Sequence, residues 1–139
     1  MRLLALDVGE RRIGLAVSDP LETIAQPLGT IPRNAASIET IARIVREKEV
    51  GEIVVGLPVN MNGTFGPMAD EVNEFAREIA DVIDIPLVFI DERLTTAEAE
   101  KLMISADVSR HKRKGTIDSV AAAIILEKRL RDRQDRTGA

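Results

Sequence analysis

The sequence contains no cysteine, no tryptophan and no tyrosine, and it has one histidine and three phenylalanines among its 139 residues. The missing cysteines exclude disulfide bonds, thiolate-bound metals and a cysteine nucleophile, and the single histidine disfavours a histidine-rich metal site. The scarcity of aromatic side chains excludes a surface that binds nucleic acid by stacking many bases. Any recognition of nucleic acid is therefore expected to depend on backbone and shape, with little base stacking.

Long apolar runs are also missing. No stretch approaches the roughly 18 apolar residues of a membrane span, and the run Leu3–Leu6 is too short for a secretion signal. We therefore expect a cytoplasmic protein without a membrane partner. The composition, 45% hydrophobic and 30% charged, is globular. Because the sequence contains no recognisable repeat or linker, residues 1–139 are expected to form a single domain.

The charge is unevenly distributed. A net charge of -4 and an isoelectric point near 5.1 argue at first against a nucleic-acid partner. However, residues 1–100 carry a net charge of -9 and residues 101–139 a net charge of +5. The basic C-terminal quarter is either a solvated helix end or a surface that binds phosphate beside an acidic centre.

Apolar spacing predicts five strands and four helices. The strands are 2–7, 12–18, 25–31, 52–57 and 86–90; the helices are Ala36–Glu49, one beginning at Pro67, one beginning near Thr96, and Thr116–Arg133. The first three strands form antiparallel hairpins, with the prolines of the third suited to an edge position. Helix and strand then alternate, so we expect a mixed α/β sheet with helices on both faces.

Acidic residues fall at the ends of predicted parallel strands. Asp7 ends the first strand, Asp91 and Glu92 follow the fifth, and Asp118 lies in the first turn of the last predicted helix. Sites in open α/β sheets form beyond the carboxyl ends of the strands, so the topology brings these acids together. Clustered carboxylates need a neutralising cation, and oxygen ligands without histidine or cysteine suit Mg²⁺ or Mn²⁺. Two such ions can hydrolyse a phosphodiester without a protein nucleophile.

Each acid also has a structural explanation. Asp7 could cap the hairpin turn, and Asp118 could be a first-turn acid that the helix dipole favours. Asp91 and Glu92, followed by Arg93, could be an ordinary charged strand exit. Only the coincidence at one edge favours the functional interpretation.

Four sequence blocks resemble the YqgF/RuvX family. They are DVGERRIGLAVSD at 7–19, VGLP with NMNGT at 55–64, DERLTT at 91–96 and DSVAA at 118–122. The blocks occur in the family's order and span nearly the whole chain. The family is similar to Holliday junction resolvases, and the resemblance implies a ribonuclease H-like fold. It also implies a nuclease that matures the 5′ end of the 16S ribosomal RNA precursor.

The resemblance further implies that Asp7, Glu92 and Asp118 are the catalytic, metal-binding acids, with Asp91 as the fallback ligand. Resolvase-type sites often carry a fourth acid one helical turn after the last one, and Ala121 occupies that position here. The second metal would then be held more by substrate phosphate and water than by the protein.

The remaining motif residues are candidates for binding substrate. Gly9 could leave room for a phosphate or simply form the hairpin turn, and the loop after the fourth strand could bind nucleic-acid backbone or need only turn chemistry. The basic run that ends at Lys114 precedes Asp118 and could steer phosphates to it. The predicted substrate-binding residues are Gly9, Arg12, Asn60, Asn62, Gly63, Thr64, Arg93, Lys112, Arg113 and Lys114.

The expected partner is structured RNA, namely the 16S ribosomal RNA precursor, with DNA junctions as the alternative substrate. A non-catalytic RNA-binding protein of ribosome assembly or transcription is a further alternative. An actin-like or sugar-kinase domain would open similarly, but those proteins need two such domains around the nucleotide. The sequence leaves both a monomer and a homodimer open.

Overall fold

The computed structural model describes residues 1–60, 62–92 and 110–137, with the side chains of 118–134 in the last range. The strands are β1 (Arg2–Val8), β2 (Arg12–Ser18), β3 (Ala25–Pro32), β4 (Val50–Leu57) and β5 (Leu87–Asp91). The helices are α1 (Ser37–Glu47), α2 (Pro67–Val82) and α3 (Arg110–Thr137). The helix predicted to begin near Thr96 lies outside the described residues. No helix in the described ranges is long and apolar enough to cross a membrane.

The five strands form one mixed sheet in the order β3-β2-β1-β4-β5. β1 pairs antiparallel with β2, and β2 pairs antiparallel with β3, whereas β4 lies parallel to both β1 and β5. This arrangement confirms the predicted fold class, including the three antiparallel strands at the start of the chain. β3, with its two prolines, occupies one edge as predicted, because a residue without an N–H is tolerated there.

The alternating side chains of the sheet bury two separate layers. Leu4, Leu6 and Val8 of β1 face α1 and α2, where they join the larger apolar cluster. Leu3 and Ala5 point to the opposite face, against the alanine-rich part of α3. Helices therefore cover both faces, as the sequence predicted, and β1 is buried on both sides because it is the central strand.

The last helix begins earlier than predicted. Apolar periodicity suggested a start at Thr116, but α3 begins at Arg110 and contains the basic run and Gly115. Lysine and arginine are good helix formers, so they can extend a helix across a glycine that costs about 1 kcal/mol relative to alanine. The basic run before Asp118, which lay outside the predicted helix, is therefore part of α3.

An ion pair between Arg129 and Glu52 connects α3 to β4. The guanidinium of Arg129 donates two hydrogen bonds to the carboxylate of Glu52, at 3.0 Å from Nε and 2.8 Å from an Nη atom. Glu52 is buried, with 8% of its surface exposed. Arg133 approaches the same carboxylate at 3.6 Å and also pairs with Glu22.

We expect Glu52→Ala to destabilise the fold by about 3 kcal/mol, because removing one partner leaves a poorly solvated guanidinium behind. Urea unfolding of the purified variant measures this loss. Glu47→Ala, at an exposed position in the last turn of α1, is the control and is expected to change stability by less than about 0.5 kcal/mol. A Glu52 variant as stable as the wild type would show that this pair does not hold α3.

Candidate active site at the carboxyl edge of the sheet

Asp7 occupies the centre of the carboxyl edge of the parallel strands. It is the last residue but one of β1, and alternation directs its side chain to the α3 face, like Leu3 and Ala5. Its side chain shares a hydrogen bond with Glu92, which directly follows β5. Two acids that are 85 positions apart in the sequence are thus in contact, as the topology predicted.

Glycines on the two neighbouring strands make room around Asp7. Gly14 of β2 is paired with Asp7 in the sheet, and Gly56 of β4 follows the residue paired with Leu6. A Cβ atom at Gly56 would lie 2.9 Å from Oε2 of Glu92, and one at Gly14 would overlap the backbone of Asp118. The sequence analysis assigned no role to either glycine, because a glycine within a strand does not reveal what approaches it.

Asp118 reaches the same edge from α3, but not from the position predicted. It is the ninth residue of the helix and so lies in its third turn. Because the helix dipole acts mainly within the first turn, it does not explain an acid in the third turn. Its Oδ2 atom lies 3.2 Å from Nε of Arg12, which the sequence predicted as a substrate-binding residue.

A buried hydroxyl holds this part of α3 against the sheet. Ser119 accepts a hydrogen bond from the backbone N–H of Gly29 at 3.0 Å and donates one to the carbonyl oxygen of Leu15 at 3.3 Å. Ala121, at the position where a fourth acid was considered, is fully buried. A carboxylate there would be enclosed by apolar neighbours. In the part of the chain that the structure describes, the acids at this edge are Asp7, Glu92 and Asp118, and Asp91 precedes Glu92 in the chain.

Burial and like charge dominate the electrostatics. Burial raises the pKa of Glu92 to about 9, reinforced by the charge of Asp7 and the hydrogen bond with it, while the charge of Lys128 acts in the opposite direction. The pKa of Asp7 is also raised, mainly by burial, with the hydrogen bond from Glu92 opposing the shift and the charge of Asp118 adding to it. Without a cation, the pair therefore holds a proton at neutral pH.

The donor set suits a hard divalent cation. All the donor atoms are carboxylate oxygens. Asp7 and Glu92 hold a proton between them, and a bound cation would neutralise the two carboxylates instead. Among the described residues, no three acidic side chains already converge in the geometry of a metal site. Asp118 is engaged with Arg12, so a complete three-carboxylate site requires that this side chain turn from Arg12 towards Asp7.

Asp91 differs from Glu92 in its surroundings. It is the exposed last residue of β5 and is paired with Leu57. Glu92 instead lies against Gly56 and Asp7. The negative charge of Asp91 contributes to the raised pKa of Glu92. Glu92 therefore contacts Asp7 and Asp91 is exposed, and the assignment of Glu92 as the ligand stays a prediction.

The polar loop after β4 leaves from the same edge, but its groups bond to one another. Asn60 Nδ2 donates to Thr64 Oγ1 at 3.0 Å, and Thr64 Oγ1 donates to Asn62 Oδ1 at 2.6 Å. Gly63 adopts a positive φ of 86°, a conformation that glycine adopts readily. These contacts account for the motif as a turn, and substrate binding by Asn60, Asn62, Gly63 and Thr64 stays a prediction.

Gly9 has a structural role in the hairpin. Its N–H donates to the carbonyl oxygen of Arg12 at 2.8 Å, and a Cβ atom would lie 2.9 Å from that oxygen. Arg93 lies outside the described residues. Lys112, Arg113 and Lys114 lie in the first turns of α3. Their roles in binding also stay predictions.

The sequence analysis missed Arg33, which joins three parts of this edge. An Nη atom donates to the carbonyl oxygen of Gly9 at 3.0 Å and lies 3.5 Å from Oε1 of Glu71 in α2. The guanidinium also lies over the ring of Phe75, 5.9 Å from its centroid. No local pattern marks this arginine, because each of its partners comes from another element.

The raised pKa values predict how stability depends on pH. Folding raises the pKa of Glu92 from its ordinary 4.5 to about 9, so its contribution to stability is complete below about 4.5 and is lost as the pH rises towards 9. In EDTA, we expect the free energy of unfolding to fall by about 4 kcal/mol between about pH 5 and about pH 8, because over this range the folded state holds a proton that the unfolded state releases. Glu92→Gln should remove most of this slope, as measured by urea unfolding. Asp91→Asn should keep it, and a Gln variant with the wild-type slope would contradict the buried pair.

A protein-family model and several known proteins match this sequence. The family model "RuvX: Holliday junction resolvase" matches residues 1–132. A "Putative pre-16S rRNA nuclease" of Roseiflexus sp. is 50% identical over 129 residues, covering 91% of each chain. A protein of the same name from Thermoanaerobacter pseudethanolicus is 50% identical over 133 residues, covering 94% of this chain and 96% of its own.

Solved structures show the same fold at low sequence identity. RuvC of T. thermophilus in complex with a Holliday junction substrate superposes with a TM-score of 0.56 at 13% identity, covering 94% of this chain and 96% of that one. The fowlpox virus Holliday junction resolvase gives a TM-score of 0.53 at 11% identity, covering 95% and 99%. On the strength of the family match and its close relatives, this chain belongs to the RuvX family.

Proposed function

We propose that the chain is a divalent-cation-dependent nuclease that hydrolyses phosphodiester bonds in structured RNA and matures the 5′ end of the 16S ribosomal RNA precursor. The observation that carries this proposal is the buried, hydrogen-bonded pair of Asp7 and Glu92 at the carboxyl edge of the sheet, with Asp118 close enough for its charge to raise the pKa of Asp7. The RNA substrate is inferred from the names of relatives at 50% identity.

In this proposal, Asp7, Glu92 and Asp118 hold the cation, with Asp91 as the alternative ligand. Bound Mg²⁺ or Mn²⁺ would supply activation of a water molecule and stabilisation of the leaving oxygen. A side chain at Gly14 would collide with the backbone of Asp118, and one at Gly56 with Ile125 and Glu92, so both glycines allow these acids to approach the edge.

Arg12 has two successive partners in this scheme. It first neutralises Asp118. When Asp118 turns towards Asp7, the guanidinium becomes available to a substrate phosphate, for which its planar set of donors is suited. Arg12 would therefore help to orient the phosphodiester without taking part in proton transfer.

We expect Asp7→Asn, Glu92→Gln and Asp118→Asn each to lower Mn²⁺-dependent cleavage more than about 100-fold, beyond the loss typical of groups that only orient metal ligands. Each variant should keep a cooperative thermal transition, so that the loss is not due to unfolding. Asp81→Asn, on the exposed side of α2, is the control and should cleave like the wild type. Full activity in any one of the three variants would remove that residue from the catalytic set.

The substrate decides between this function and its alternative. The description of the matching family favours a DNA junction resolvase, so cleavage is compared on a precursor ribosomal RNA fragment, a plain single-stranded RNA and a four-way DNA junction. Preferential cleavage of the precursor fragment supports RNA maturation by a monomer or a homodimer. Paired cuts in the junction would instead indicate a resolvase, which needs two active sites. Binding without cleavage of any substrate would indicate a non-catalytic RNA-binding protein.

The basic segment at the start of α3 provides a further prediction. We expect the triple variant Lys112→Gln, Arg113→Gln, Lys114→Gln to bind RNA more weakly and with a flatter salt dependence, because each lost phosphate contact lowers the slope by roughly 0.7 for a single strand. Fluorescence anisotropy at several salt concentrations measures the slope. Neutralising Arg43, Arg46 and Arg77, which lie on α1 and α2, provides a control with the same loss of charge. Equal slopes for both variants would make the segment a solvated helix face.

A further inference from the structure

The three aromatic side chains of this protein lie in different environments. Phe75 is buried in the core with 6% of its surface exposed, and Phe89 on β5 is 41% exposed. Phe65 lies in the loop between β4 and α2 and is 63% exposed. The sequence suggested too few aromatic side chains for base stacking, but the structure leaves one ring open to solvent in the loop that follows the active-site edge.

Hydrogen bonds order the turn that precedes Phe65. The backbone N–H of Asn60 donates to the carbonyl oxygen of Thr64 at 2.8 Å, and that of Gly63 donates to the carbonyl oxygen of Asn60 at 2.8 Å. The side chains of Asn60, Asn62 and Thr64 bond to one another on top of this backbone turn. Phe65 follows the turn directly, so little conformational freedom is left for its backbone to lose on binding.

The usual structural reason for an apolar residue here is missing. Gly66 is the N-cap of α2, so Phe65 occupies the preceding position, where an apolar side chain often packs against the fourth residue of the helix. That fourth residue is Asp70, which is exposed. Without this contact, the ring of Phe65 gains little from the fold while it exposes apolar surface to water.

The loop also connects the two sides of the candidate active site. It leaves β4 after Leu57, which is paired with Asp91 and whose carbonyl oxygen accepts the N–H of Glu92 at 3.2 Å. It ends at α2, whose first turns are tied to the Gly9 turn through Glu71 and Arg33. Phe65 is therefore carried by a segment that starts beside Glu92 and ends beside the turn that follows Asp7.

We propose that Phe65 stacks on an unpaired base next to the scissile phosphate, and that it selects single-stranded RNA at the point of cleavage. This inference rests on the proposed nuclease function. Every base presents a flat face to an aromatic ring, so such a contact tolerates any sequence. Bases inside a duplex are already stacked on their neighbours, so the contact favours a single strand over a continuous helix.

The missing tryptophans make this contact directly measurable. Phe65→Trp places the only tryptophan of the chain at the proposed stacking position, and Leu21→Trp places one at an exposed site in the β2–β3 loop, at the opposite end of the sheet. Both reporters are made in the Glu92→Gln background with Mg²⁺ present, so that bound RNA stays intact. Each is titrated with a single-stranded RNA and with a blunt duplex of the same sequence, while anisotropy of the labelled RNA reports binding independently.

We expect the single strand to quench the tryptophan at position 65 in a saturable way and to leave the one at position 21 unchanged, with little quenching by the duplex. Phe65→Ala and Phe65→Leu should both weaken binding of the single strand on the order of ten-fold without changing its salt dependence, whereas Phe65→Trp should bind like the wild type. A purely apolar contact would instead be restored by leucine.

The outcomes separate this inference from the proposed function. Binding and cleavage of RNA without quenching at position 65, or equal quenching by the duplex, would overturn the stacking contact and leave the nuclease in place. Quenching without cleavage by the protein with Glu92 restored would support the contact and contradict the nuclease. No binding of RNA by anisotropy would overturn both.

Discussion

The repulsion between buried carboxylates is the constraint on which the rest of this structure depends. Asp7 and Glu92 lie in contact, where burial raises both pKa values; the charge of Asp7 further raises that of Glu92, and the charge of Asp118 further raises that of Asp7. Burying these groups in their charged form costs stability, and a neutral pair of the same shape would cost less to bury. In the metal-free state a proton between the two acids and the ion pair with Arg12 relieve the repulsion. Under the proposed function, a bound cation would relieve the same repulsion.

The architecture of the sheet brings these acids together and keeps space around them. β1 lies at the centre, so both of its neighbours can shape the surroundings of Asp7, and each contributes a glycine at the level of that residue. On the opposite face, apolar residues of β1 pack against α1 and α2 and hold the strand in position. Ser119, directly after Asp118, and Arg129, ten residues later, fix α3 to the sheet. The contact of Ser119 therefore stabilises the part of the helix that carries Asp118.

Negative and positive charges are concentrated in different parts of the chain. The acidic excess of residues 1–100 includes the carboxylates of the candidate site, whose local sign a bound cation would reverse. Four of the ten basic residues of 101–139 lie at the start of α3, one to two turns before Asp118, and five lie in the second half of the helix. An acidic isoelectric point is consequently compatible with a nucleic-acid partner, because steering depends on where the charges lie. The exposed ring of Phe65 extends this view, since a chain with few aromatic side chains still places one beside its polar loop.

The sequence by itself determined the sheet, its antiparallel start and the edge to which Asp7, Glu92 and Asp118 belong, because strand periodicity and the order of elements can be recognised in the sequence alone. It misjudged the start of α3, since basic residues around a glycine carry no apolar period even when they are helical. Only the tertiary structure decided that Gly14 and Gly56 receive Asp118 and Glu92. It alone showed that Arg33 joins the Gly9 turn to α2 and that Phe65 stays exposed. These features depend on contacts between residues far apart in the chain, for which no single segment contains a signal.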